Sequence, residues 1–178
     1  MLFTYSYYQY LSFIIIIIII IVDKQAPFVH VEDIVKTHWS TYGRSYYCRY
    51  DYEGVDSAKA AAVMNHIRSQ FATLPGQVFG SFTVASSDEF TYVDPIDKSV
   101  SKNQGLRVLF VDGSRVIFRL SGTAGSGATV RVYFEKYEDA KDKLTLPVGV
   151  ALEELVKVGL SISNIIALTG FASPTVIT

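Results

Sequence analysis

The stretch Leu106-Arg-Val-Leu-Phe-Val-Asp-Gly-Ser-Arg-Val-Ile-Phe-Arg-Leu-Ser-Gly-Thr-Ala-Gly-Ser-Gly-Ala-Thr-Val-Arg-Val-Tyr-Phe134 decides the fold. Residues 106–111 and 115–120 read as strands, and Asp112-Gly113 between them suits a two-residue type I′ hairpin turn. After a glycine-rich connection, Val130, Val132 and Phe134 fall on one strand face, with Arg131 and Tyr133 on the other. The hairpin's second strand therefore delivers Arg119 to the mouth of the connection, and the following strand carries Arg131 away from it.

That connection is chemically distinctive. Gly122, Gly125 and Gly127 are interleaved with Ser121, Thr123, Ser126 and Thr129, and an arginine stands at each end. Glycines let the backbone turn tightly and point several N–H groups at one place. Hydroxyls add neutral donors, and guanidinium forks match a phosphate in charge and shape. The glycine spacing is that of a nucleotide-binding P-loop, but Ala128 replaces its lysine and a strand follows where a helix should open. An anion cradle and a glycine-rich hairpin loop without ligand are, on composition, equal readings.

Outward from this stretch, residues 45–53 read as an aromatic strand. Asp56 can cap a helix that buries Ala60, Val63, Met64, Ile67 and Phe71 and ends at Leu74-Pro75-Gly76. Residues 78–85 and 89–93 are short strands. Pro147 opens a C-terminal helix with Val148, Ala151, Leu152, Leu155, Ile162 and Ile165 inward, and the tail after Gly170 reads as a loop. The pattern predicts an α+β domain: an antiparallel sheet flanked by two helices on one face.

Lys plus Arg (16) nearly balance Asp plus Glu (17), so no nucleic-acid partner is implied. The single cysteine, Cys48, excludes an internal disulfide, and three histidines without a Cys/His cluster argue against structural zinc. Residues 1–22 carry no charge and include the run of isoleucines from Ile14 to Ile21. Their length is about that of a membrane-spanning helix, which needs roughly 20 apolar residues. Two readings stand: a genuine single-pass anchor with its C-terminal side cytoplasmic, or the product of a mis-started or truncated gene.

The run Arg119-Leu-Ser-Gly-Thr123, followed by Gly127-Ala-Thr-Val-Arg131, resembles the phosphate-binding loop of the α-D-phosphohexomutases of eukaryotic phosphoglucomutase type. The resemblance extends over residues 30–178 through His38-Trp39, Tyr42-Gly43-Arg44, Arg49-Tyr-Asp-Tyr-Glu53, Tyr92-Val-Asp-Pro-Ile-Asp97, Asn103-Gln-Gly-Leu-Arg107, Asp112-Gly-Ser-Arg115 and Pro174-Thr-Val-Ile-Thr178. It implies a TBP-like phosphohexomutase C-terminal domain over 45–178. A remnant helix and linker from a preceding domain would occupy 23–44, with the hydrophobic helix of 1–22 before it. The phosphate ligands implied are Arg119, Ser121, Thr123, Arg131 and the backbone at Ala124, with Arg44 a weaker candidate.

The implied reaction interconverts glucose 1-phosphate and glucose 6-phosphate in the cytoplasm. The full-length family enzyme requires magnesium and glucose 1,6-bisphosphate. This sequence contains no Thr-Ala-Ser-His-type nucleophile loop, no Asp-x-Asp-x-Asp metal loop and no Gly-Glu-Glu-Ser sugar loop. It is expected to bind a phosphosugar, to hold no metal or catalytic residue, and to be incomplete as a mutase. The alternative is a membrane-tethered anion-binding module without mutase activity. One departure concerns geometry: where the family has Thr-Gly-Ser-Ala-Gly, this chain has Thr123-Ala-Gly-Ser-Gly127.

Overall fold

The computed structural model describes residues 29–122 and 127–178. The chain divides into two compact units, residues 1–41 and 42–178. In the first, helix α1 (Val31–Tyr42) is stapled by a Glu32–Lys36 ion pair of 2.6 Å, one turn apart. Its half-buried side chains are Ile34, Val35, His38 and Trp39, the set the helical spacing picks out. The expected hydrophobic helix of residues 1–22 lies outside the described residues. Among those described, no helix is long and apolar enough to cross a membrane.

The second unit is built on strands β1 (Arg44–Val55), β2 (Val78–Phe79), β3 (Phe82–Glu89), β4 (Tyr92–Val93), β5 (Val100–Ser101), β6 (Leu106–Phe110), β7 (Arg115–Gly122), β8 (Ala128–Glu138) and β9 (Val176–Ile177). Seven of them form one antiparallel sheet in the order β2-β3-β6-β7-β8-β1-β9, and β4 and β5 pair separately. Helix α2 (Ser57–Ser69) starts where Asp56 Oδ1 accepts hydrogen bonds from the Ala58 and Lys59 amides. The helices after Pro147 are α3 (Val148–Ala151), α4 (Glu153–Ser163) and α5 (Ile165–Thr169).

Period-2 alternation puts Tyr46, Tyr52, Val116, Phe118, Val130, Val132 and Phe134 on one sheet face, where all are buried. Helix α2 covers them with Ala60, Val63, Met64 and Ile67, and α4 with Leu155, Val158 and Ile162. The two helices join through Gln70 Nε2, which donates to the Ile162 carbonyl at 3.0 Å. Both helices therefore lie on the same face, as the pattern predicts, and the opposite face carries Arg115, Arg119, Arg131, Arg49 and Asp51.

The structure corrects the sequence reading at six places. Helix α2 ends at Ser69, so the half-buried Phe71 lies beyond it and the helix does not run to Leu74-Pro75-Gly76. Residues 78–85 are not one strand, because Gly80, at φ +58°, turns the chain back between β2 and β3. Residues 89–93 are not one strand either, because Glu89 closes β3 and Tyr92–Val93 form the separate β4. The β6–β7 hairpin has a three-residue loop: the Gly113 amide reaches the Phe110 carbonyl, the Phe110 amide reaches Ser114, and only Gly113 is left-handed. That is a type I turn with a glycine bulge, and it avoids the positive φ that a type I′ turn would impose on Asp112. The C-terminal helix is broken: Asn164 adopts φ 49°, which ends α4 and redirects α5. Finally, the tail is not all loop, since β9 pairs with β1 at Tyr50 and Asp51.

Candidate functional site

The register of β7 against β8 assembles the site. Arg119 faces Arg131, Ser121 faces Thr129, and Gly122 faces Ala128 at the neck of the connecting loop. Alternation sets Arg119, Ser121, Thr129 and Arg131 together on the face away from the helices. Arg119 is exposed, Ser121 and Arg131 are half-buried, and Thr129 is buried. Two of the expected ligands, Thr123 and Ala124, lie outside the described residues.

Two arginines directly opposite in a strand pair repel one another. The next strand supplies the compensation. Asp51 of β1 is the register partner of Arg131 and is only 2% exposed. Its Oδ1 accepts a 2.8 Å hydrogen bond from Arg49 Nε, while its Oδ2 lies 3.6 Å from Arg131 Nε. The row Arg119–Arg131–Asp51 thus runs cation, cation, anion across three strands. Asp51 is absent from the residues the sequence singles out for the site. In the sequence it shows as an outward position of an aromatic strand and as a member of the Arg49–Glu53 segment that carries the resemblance.

The loop's far end is also anchored. Gly127 sits at φ +94°, and a Cβ there would come within 3.0 Å of the Val55 carbonyl and 3.2 Å of the Gly54 carbonyl carbon. Gly54 itself is at φ +70°, in the register shift between Tyr52 and Val55 of β1. Glycine is thus required at 127 on conformational and steric grounds, because the chain passes directly over the β1 bulge.

Arg44 is placed elsewhere. It opens β1, seven residues before Asp51, or about 23 Å at the rise of an extended strand. Its Nη1 donates to the Leu144 carbonyl at 2.8 Å and the guanidinium lies over the Tyr46 ring, 4.0 Å from the centroid. The geometry gives Arg44 the job of tying the 139–147 connection to β1, and does not bring it to the cradle. Asp94 and Asp97 are likewise occupied. Asp94 Oδ1 accepts from the Ile96 and Asp97 amides and Asp97 Oδ1 from Ser99, which holds both carboxyls below their usual pKa. Among the described residues no cluster of His, Cys, Asp or Glu is arranged to hold a metal.

A one-sided antiparallel sheet, with its helices on one face and a glycine loop between two arginine-bearing strands, defines an α+β domain whose open face is polar. Residues 44–175 match the family model described as "Phosphoglucomutase-1, C-terminal domain". The chain belongs to that family. It is 48% identical over 176 residues to "Probable phosphoglucomutase, cytoplasmic 1" of Arabidopsis thaliana, covering 95% of this chain and 30% of the relative. Against "Phosphoglucomutase-1" of Dictyostelium discoideum it is 49% identical over 160 residues, covering 85% and 28%. The crystal structure of pp63/parafusin, a phosphoglucomutase of Paramecium in its open form, superimposes with a TM-score of 0.77 at 48% identity, covering 87% of this chain and 26% of that one. The chain therefore spans about 30% of the length of the relatives it matches.

Proposed function

We propose that this chain is the part of a phosphoglucomutase that grips the phosphate of its phosphosugar substrate, glucose 1-phosphate or glucose 6-phosphate. The observation that carries the reading is the Arg119–Arg131 pair, set opposite each other at the neck of the glycine loop. Arg131 and Arg119 supply charge and bidentate donors and Ser121 a hydroxyl, and the Thr123 hydroxyl and the backbone at Ala124 are the further ligands that the resemblance implies. A dianion between the two guanidiniums relieves what is left of their mutual repulsion, so the pair favours an anion.

By resemblance, the phosphoserine, the magnesium-holding aspartates and the sugar-selecting loop belong to other parts of the family enzyme, and none of their motifs occurs in these 178 residues. No residue here is assigned to magnesium or to covalent transfer, and we expect no mutase turnover from this chain alone. In the family enzyme its work is orientation. A fixed phosphate at one end of the sugar sets where the other end lies.

The test is a titration of the full chain with glucose 6-phosphate, followed by amide and arginine side-chain shifts. Two or three charge-assisted bonds of about 1.5–3 kcal/mol each, offset by the cost of association, support a Kd in the millimolar range, about −4 kcal/mol. Shifts centred on 119–131, lost in Arg131→Ala and absent with unphosphorylated glucose, are expected. No shift at tens of millimolar would overturn the assignment.

A further inference from the structure

The outer face of the sheet is open, yet Asp51 is buried on it. Asp51 divides its oxygens between two guanidiniums. Arg49 Nε takes Oδ1 in a full hydrogen bond at 2.8 Å, while Arg131 Nε stands 3.6 Å from Oδ2. That distance exceeds a hydrogen bond, and Arg131 Nε is itself buried without a hydrogen-bond partner. A buried N–H facing a buried carboxylate oxygen, slightly beyond bonding reach, is a contact one small movement from completion.

The surroundings fix Asp51 rather than Arg131. The Asp51 carbonyl accepts from the Thr175 amide at 2.8 Å and from Thr175 Oγ1 at 2.9 Å, so the C-terminal segment clamps its backbone. Strand pairing to β8 and β9 holds it on both sides. Arg131, by contrast, has a long side chain that is 37% exposed.

We propose that Asp51 is the positioning residue for Arg131. Its fixed carboxylate engages Nε and aims the two terminal nitrogens of the guanidinium at the substrate phosphate, and the Nε–Oδ2 gap closes when the phosphate binds. This rests on the reading that Arg131 binds phosphate. The carboxylate also repels a phosphate, but it does so from behind the guanidinium, which screens it. Orientation therefore outweighs repulsion, and the sign of the Asp51→Asn effect decides the point.

The experiment is a double-mutant cycle in the full chain, with glucose 6-phosphate as the probe and affinity read from side-chain and amide shifts. Asp51→Asn is expected to weaken binding about fivefold, the size of one partly solvated ion pair. Arg131→Ala is expected to weaken it more, and adding Asp51→Asn to Arg131→Ala should cost nothing further. Equal losses in both backgrounds, or binding unchanged or tightened by Asp51→Asn alone, would overturn the proposal. If Arg131→Ala leaves binding intact, the phosphate reading itself has failed, a different outcome. Should Asp51→Asn not fold, the wild-type Arg131 Nε–Hε resonance decides instead. It should move downfield and exchange more slowly with water as ligand is added, and an unmoved resonance would overturn the proposal.

Discussion

Gly159 lies in the middle of α4, where alanine would ordinarily be the better helix former by about 1 kcal/mol. Here the substitution should destabilise. A Cβ at 159 would stand 2.6 Å from Phe134 Cε1 and 3.1 Å from Val116 Cγ1. Both side chains are fully buried, and the Phe134 ring also packs against Tyr50 in an edge contact with centroids 5.3 Å apart. No flexible tip is available to give way, so either α4 lifts from the sheet or the ring leaves its rotamer. Overpacking of this kind costs about 1–3 kcal/mol, and the closeness of the contact argues for the upper half. Subtracting the helix gain leaves a net loss of about 1–2 kcal/mol, or about 3–6 °C in Tm for a domain of this size.

Urea unfolding of Gly159→Ala beside Gly149→Ala isolates the cause. Gly149 is also helical, but a Cβ there meets nothing within 4 Å, so alanine should be neutral or mildly stabilising. An unchanged m-value with a lowered midpoint for the first variant only is the expected result. If Gly159→Ala were as stable as the parent, α4 would not be seated on β8 as described, and the reasoning would fail.

The fold was legible wherever one physical signal was strong. Alternation in β8 placed Val130, Val132 and Phe134 inward, and all three are buried. The Asp56 cap and the Ala60-Val63-Met64-Ile67 stripe located α2, because capping and helical period are both local. What failed was turn chemistry and the ends. Asp112-Gly113 suits two kinds of hairpin loop, and the choice depends on strand stagger, which a dipeptide does not encode. Asn164 breaks a helix that its flanking apolar period continues, because one left-handed residue costs little and the core decides the direction. Residues 176–177 have too few side chains to announce a strand, and pairing with β1 makes them one.

The site was legible by another route. The residues suggested an anion, and resemblance to a family named the positions. Strand register was needed to put Arg119 opposite Arg131. Asp51 was not singled out because a carboxylate between Tyr50 and Tyr52 looks like any solvent-facing strand position. It is buried where β1 pairs with β8 on one side and with the tail strand β9 on the other, a tertiary effect with no local trace. Arg44, suggested by a matching motif, also needed the tertiary structure: its Nη1 donates to the carbonyls of Leu144 and Leu146, contacts that a motif does not show.

Two further outcomes follow from buried groups and from the sheet edge. Burial pushes the Cys48 thiol from 9.0 up to about 11, and burial with the neighbouring Tyr50 pushes the Tyr52 hydroxyl from 10.0 to about 12. Both are raised, so the stability they support is complete below 9.0 and declines as pH rises towards about 12; a urea midpoint flat across that window would contradict it. Removal of residues 175–178 tests the edge. Those residues supply the Thr175 amide and hydroxyl to the Asp51 carbonyl, accept from the Glu53 amide, and exchange bonds of 2.7 and 3.0 Å between Arg49 and Thr178. At about 0.5–1.5 kcal/mol net for each bond, and with fraying of an end strand discounted, the loss should be about 2–3 kcal/mol. The larger consequence is local: β1 becomes an exposed edge, water reaches Asp51, and the carboxylate that holds Arg131 is no longer fixed. Amide exchange at 49–53 should accelerate at least tenfold while the α2 amides stay protected. Unchanged exchange at 49–53 would mean that β8 alone secures β1 and that the tail has no part in building the site.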